Sequence, residues 1–168
     1  MKVFDAPIHV HYGFLNLTSR DHEIDPGHER DGQVNGLCGV ATPGRAHLVT
    51  GLHTGRVPLT VEWLASEPGP PASTWPDVIE ASVELPQVCL LSTFDVFEDV
   101  TLGASGWHRL RFHARGMDEG HELDTAIDDE APDAYLLQLW PAAPAPDAVL
   151  RVGSETAQYW HDVARGLS

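Results

Sequence analysis

The sequence lacks most of the features that assign a protein to a class quickly. No apolar run approaches the roughly 18 residues needed to span a bilayer. The opening Met1-Lys2-Val3-Phe4-Asp5-Ala6-Pro7 has no secretory hydrophobic region, because Asp5 and Pro7 interrupt it. A cytoplasmic protein is expected. Cysteine is limited to Cys38 and Cys89. In a reducing compartment both read as thiols that behave as small buried hydrophobes, and neither lies in a catalytic signature. Fixed-spacing catalytic motifs are missing as well. There is no Gly-x-Ser-x-Gly elbow, no His-Glu-x-x-His helix, no Walker loop and no Gly-x-Gly-x-x-Gly after a strand. These absences point away from an enzyme and toward binding, with no cofactor implied.

Positive charge is scarce too. Ten Lys and Arg face 25 Asp and Glu, for a formal charge of −15 at pH 7. Such a surface repels phosphates, so nucleic acid and anionic membranes are excluded as partners of the surface as a whole. It suits a basic protein, or solubility alone. Ten histidines make the charge sensitive to pH; protonating all of them takes −15 to −5. Self-repulsion therefore eases as the pH falls through about 6.5.

What is present is a core. A chain of 168 residues suits one domain, residues 1–168, and needs no covalent staple. Ile8, Val10, Tyr12 and Phe14 alternate with His9, His11 and Gly13, which predicts one half-buried strand over 8–17. Residues 18–36 read as a long polar surface loop with turn signals at Asp25-Pro26-Gly27 and Asp31-Gly32. Further strands are predicted over 45–50, 57–65, 77–85, 88–93, 96–102, 107–115 and 135–140. Val57, Leu59, Val61, Trp63 and Ala65 are expected on one face, and Phe112 in the core. Four prolines between Glu67 and Pro76 exclude a sheet interior there and predict a loop, with Trp75 plugging one end of the core. Ser154 can cap a helix over 155–164, packed through Ala157, Trp160 and Ala164. The sum is a mostly β fold, an antiparallel β-sandwich or jelly roll with one short C-terminal helix; an open barrel is the alternative.

Three groups of residues carry chemical interest. His9 and His11 are two apart on a strand, so their imidazoles share a face and can act as metal ligands. A cupin would place Glu four or five residues after the second His, where Leu15 and Asn16 stand here, so the cupin pattern fails. The 117–133 stretch holds eight acidic residues and no Lys or Arg. It reads as a solvated acidic loop, with Asp118, Glu119, Asp128, Asp129 and Glu130 as candidate contacts to a basic protein; its spacing is not that of an EF-hand. Arg109, Arg111 and Arg115 alternate with Leu110, Phe112 and Ala114, placing a basic stripe on an exposed strand face. That stripe either pairs with Glu80, Glu84 or Glu98 nearby or binds a carboxylate or phosphate.

The runs Asp31-Gly32-Gln33-Val34-Asn35-Gly36-Leu37, Thr50-Gly51-Leu52-His53-Thr54-Gly55 and Arg115-Gly116-Met117-Asp118 resemble a bacterial β-sandwich family of no assigned activity. The opening strand, with His11-Tyr12-Gly13-Phe14, is similar to competence protein J, an inhibitor of a DNA-entry nuclease. That resemblance covers the opening strand only and brings no catalytic motif. It implies an acidic β-sandwich that blocks a basic nuclease surface. The sequence thus favours a non-enzymatic protein-binding or inhibitor module. The alternative is a small metal- or ligand-binding enzyme built on His9, His11 and the arginine stripe.

Overall fold

The computed structural model describes residues 1–19 and 27–167. Two sheets stack over a shared core. The seven-stranded sheet runs β1 (Lys2–Val10), β5 (Thr54–Trp63), β11 (Ala134–Pro141), β9 (Gly106–Arg115), β6 (Asp77–Leu85) and β12 (Ala148–Arg151), with β10 (Thr125–Ala126) beside β5. The five-stranded sheet runs β3 (Cys38–Gly39), β4 (Arg45–Val49), β2 (Phe14–Thr18), β7 (Val88–Ser92) and β8 (Phe97–Thr101). Pairing is antiparallel except where β10 and β11 meet β5 in parallel. Two helices, α1 (Met117–Leu123) and α2 (Glu155–Ala164), lie against one another. Among the described residues, no helix is long and apolar enough to cross a membrane.

Alternation builds the core. Val57, Leu59 and Val61 of β5, Leu110, Phe112 and Ala114 of β9 and Ile79, Ala81 and Val83 of β6 are buried against Leu15, Leu17, Leu48 and Leu91 of the other sheet. Phe112 stacks on Tyr135 at 5.5 Å, nearly parallel. Trp63 is only half-buried at the end of its strand, where its indole N–H donates to His108 Nε2 at 3.3 Å. Cys38 and Cys89 are free thiols, both buried, and burial pushes the Cys89 thiol up to about 12 and Cys38 upward as well.

Several expectations change. The strand foreseen over 8–17 is two strands in different sheets. Tyr12 and Gly13 both take left-handed backbone, at φ 63° and 70°, and turn the chain sharply between β1 and β2. Consecutive positive φ values make the tightest turn whose twist suits flanking strands, and past it the buried apolar positions shift from Ile8 and Val10 to Leu15 and Leu17, leaving Tyr12 exposed. Asp5 and Pro7 do not stop β1 from starting at Lys2, because β1 is a sheet edge.

The polar stretch after β2 is not a free surface loop where it is described; residues 20–26, with the Asp25-Pro26 turn signal, lie outside the described residues. Gln33 donates to the Cys38 carbonyl at 2.7 Å and accepts from Val40 N–H at 2.7 Å. Asn35 accepts from Leu37 and Cys38 N–H. The Asp147 carboxylate in turn accepts from Val34 N–H, Asn35 N–H and the Asn35 amide at 2.7–2.9 Å. Arg45 and His47 are buried beside Asn16, and both bond its Oδ1.

Trp75 does not plug the core. It lies over the outer face of the large sheet, 5.7 Å from the His113 ring and under the Arg115 guanidinium.

Candidate functional site: an acidic cleft between two helices

The acidic stretch after β9 is more ordered than its composition suggests. Gly116, at φ 71°, ends the strand in a conformation that favours glycine, and α1 follows at once. Gly120 faces the Asp133 carboxylate so closely that a Cβ there would come within 2.9 Å of both its oxygens. Asp133 is fully buried. It accepts from Leu52 N–H at 2.9 Å and from the Tyr135 hydroxyl, which itself accepts from Gly51 N–H at 2.7 Å. Burial holds the Asp133 carboxyl above its ordinary value, against the hydrogen bonds that favour its charge. This network ties the 50–53 loop to the segment carrying α1.

The helix α2 meets α1 end-on through Asp118. Its carboxylate accepts from the Thr156 hydroxyl at 2.7 Å and from the N–H groups of Thr156 and Glu155 at 2.8 and 3.0 Å. Partial burial alone would raise the Asp118 carboxyl, but the Thr156 hydroxyl and the two amides outweigh it and hold it below the usual range. Ser154 supplies the expected cap, its hydroxyl accepting from Ala157 N–H at 3.0 Å. His161, not foreseen as a core residue, is fully buried; its Nδ1 accepts from Gly36 N–H at 2.9 Å.

Between these pieces opens a cleft of about 700 Å³. Its walls carry Glu122 and Asp124 from α1 and its cap, Glu155 from the start of α2, and the aromatic rings of Tyr12, Tyr159 and Trp160. Asp118, Thr50, Thr156, His53 and His121 complete the polar lining, and among the described residues no Lys or Arg lines it. Beside the mouth, Tyr12, His11, His53 and Phe94 form one edge-to-face cluster with centroids 4.1–5.9 Å apart. Tyr12 and Phe94 leave 59% and 66% of their surface exposed. Backbone bonds from Gly13 N–H to the His53 carbonyl and from Thr50 N–H to the Gly13 carbonyl, both 2.9 Å, fix the Tyr12 turn against the 50–53 loop.

The predicted site residues scatter. Asp118 is engaged in holding α2, and Glu119 is exposed on α1. Asp128, Asp129 and Glu130 are exposed in the segment that follows β10, outside the cleft lining. Of the whole acidic stretch foreseen as a loop, Met117–Leu123 is helix and Thr125–Ala126 is strand.

His9 ends near Asp95, 3.4 Å away, while His11 lies beyond the end of β1 with its Nδ1 3.0 Å from Thr54 Oγ1. Among the described residues, no three His, Cys, Asp or Glu side chains gather as metal ligands.

The arginine stripe is not exposed. Arg111 Nε donates to Glu80 at 3.0 Å and its Nη1 to the Gly69 carbonyl at 2.7 Å. Arg109 reaches the other Glu80 oxygen at 3.5 Å, plus Ser82 Oγ and the Ala145 carbonyl at 3.0 Å. The proline-rich 67–76 loop and the 142–147 segment cover this face, and only Arg115 stays exposed. Of the three carboxylates expected beside the stripe, Glu80 is the one paired.

No family model and no curated protein matches the sequence. Solved structures do share the architecture. ComJ of Bacillus subtilis, described as an inhibitor of the DNA-degrading activity of NucA, superposes with a TM-score of 0.60 over 84% of this chain and 98% of its own. The chain has the fold of ComJ. Sequence identity to ComJ is 11%, so the likeness is one of fold. A second structure, described as crocagin biosynthetic gene J, superposes with a TM-score of 0.56 at 12% identity, over 83% of this chain and 96% of its own. The opening-strand resemblance to competence protein J thus extends, in three dimensions, over most of the chain.

Proposed function

We propose that the chain is a non-enzymatic protein-binding module of the inhibitor kind, whose acidic end receives a basic protein surface. The observation that carries this reading is the cleft, where Glu122, Asp124 and Glu155 face an opening walled by aromatic rings and free of Lys and Arg among the described residues. The surplus of acidic side chains adds a long-range field of the same sign. An inhibitor requires no bond-making groups, which suits a chain without catalytic motifs. Enzymes that degrade DNA grip a polyanion with basic surface. An acidic protein can occupy that surface in its place. The fold shared with ComJ supports the inhibitor role without assigning it. Asp128, Asp129 and Glu130 are placed to steer the encounter from outside the cleft.

The test is cleavage of plasmid DNA by a DNA-degrading enzyme encoded in the same genome, titrated with the purified protein. Cleavage should fall near a one-to-one ratio, and the inhibition should weaken as salt rises, because steering between exposed charges is screened. Undiminished cleavage at a large molar excess and low salt would overturn the inhibitor reading.

A further inference from the structure

We propose that the cleft between α1 and α2 seats an arginine- or lysine-bearing segment of the partner protein, with Tyr12 and Phe94 as the apolar contact beside it. This rests on the protein-binding reading above and names its site and occupant. Three observations converge. Glu122, Asp124 and Glu155 belong to different parts of the helix pair, yet the pairing of Asp118 with Thr156 brings them around one opening. Tyr12, Tyr159 and Trp160 all line the opening, and aromatic rings attract cations. The Trp160 ring already shows that chemistry within the chain, with the Arg30 guanidinium 4.7 Å from its centroid.

The third observation decides between a free cation and a protein. The cleft runs out through Tyr12 into the exposed Tyr12–Phe94 cluster. A small free cation has no use for that patch, whereas a protein segment carrying a cationic side chain covers both. Aromatic residues are enriched at protein interfaces, and Tyr among hot spots, with Arg a frequent anchor on the partner. Tyr12 is also preset. Its left-handed backbone is held by the hydrogen bonds of Gly13, so little order has to be gained on docking.

The probe is the peptide acetyl-Gly-Arg-Gly-Arg-Gly-amide, followed by amide chemical shifts of the labelled protein. Its control carries citrulline, a neutral isostere, in place of arginine. The arginine peptide should give saturable shifts at 12–13, 50–53, 118–124 and 155–160. Affinity should drop at least tenfold for the citrulline peptide and at least fivefold for the Glu122→Gln/Asp124→Asn variant. Both replaced side chains are exposed, so the variant should keep its melting temperature. Glu84→Gln, an exposed change on β6 outside the cleft lining, should bind as wild type does. Equal affinity for the citrulline peptide, no loss in the cleft variant, or shifts of equal size at residues 128–130 would each overturn the proposal. So would spermidine binding more tightly than the peptide without moving residue 94.

The nuclease titration separates this from the broader reading. Peptide binding without inhibition of any enzyme would retain the cleft and remove the inhibitor role. Full inhibition by a Glu122→Gln/Asp124→Asn/Phe94→Ala variant would retain the role and remove the cleft.

Discussion

Asp118 of α1 and Thr156 of α2 are joined twice, once through the Thr156 hydroxyl and once through its backbone N–H, by the same carboxylate oxygen. A carboxylate at that position satisfies donors that no residue within α2 can reach and opposes the positive end of the helix dipole. Replacing Asp118 by Ala should cost about 1–2 kcal/mol, the usual range for losing a helix cap. Chemical denaturation measures it. Asp118→Asn should lose less, since one amide oxygen still accepts. The carboxyl is held below its ordinary value, so its contribution is present above about pH 4 and is lost as the pH falls further. An Ala variant as stable as wild type at pH 7 would show that α1 and α2 are held together by other contacts.

Gly36 packs so tightly under α2 that a Cβ would lie 1.8 Å from the Trp160 carbonyl oxygen. Backbone cannot yield as a flexible side chain can. Gly36→Ala should therefore push α2 away from the loop, break the Gly36–His161 hydrogen bond and destabilise the fold by about 1–3 kcal/mol. Gly69→Ala, with nothing within 4 Å of its Cβ, is the control and should leave the melting temperature within a degree or so.

Glu80 serves two arginines at once. Its side chain and those of Arg109 and Arg111 are all about nine-tenths buried. Glu80→Ala leaves Arg109 without a carboxylate and Arg111 with only the exposed Glu67, 3.9 Å away. The expected cost is about 3 kcal/mol or more, well above that of an exposed pair. Glu98→Ala, on the edge strand, is the comparison, and equal melting temperatures for the two variants would contradict the buried-pair account.

Three histidines are kept neutral by the fold. Burial, helped by Arg30 and Arg45, lowers His47 to about 3; burial also lowers His113 and His161. The unfolded chain takes up protons at these positions near pH 6.5, while the folded chain takes them up only at lower pH. Unfolding therefore binds protons, and stability falls as the pH drops below about 6.5. His47 alone should contribute about 1.4 kcal/mol per pH unit once its unfolded form is protonated. Asp133, held above its ordinary value, works in the opposite direction, but as one group against three. Denaturation midpoints at pH 7, 6 and 5 should decline in that order. Replacing His47 by Gln should flatten the decline.

Residues that obey local rules were legible in the sequence. The 77–85 strand and the 155–164 helix are found at their expected bounds, the first because alternation runs between Pro76 and Pro86, the second because Ser154 and Gly166 mark its ends. Phe112 is buried as its period-2 pattern requires. The candidate site was legible only in part. The 117–133 stretch contains part of the cleft lining, yet Glu122, Asp124, Glu155, Tyr12 and Phe94 were not singled out. Tyr12, Phe94, the 122–124 pair and Glu155 lie far apart in the chain, and no local pattern joins them.

By itself the sequence determined the sign of the surface, the two-faced strands and the capped C-terminal helix. These depend on charge count, on the two-residue repeat of a strand and on caps a few residues away. Tertiary structure decided which polar residues face solvent. Arg109 and Arg111 look exposed by alternation, but the 142–147 segment and the proline-rich 67–76 loop fold over them; Asp118 looks free by composition, but a helix 37 residues later needs its oxygens. Alternation says which face of a sheet a side chain occupies. It cannot say what covers that face, because the covering segment is brought there by chain topology rather than by neighbours in sequence.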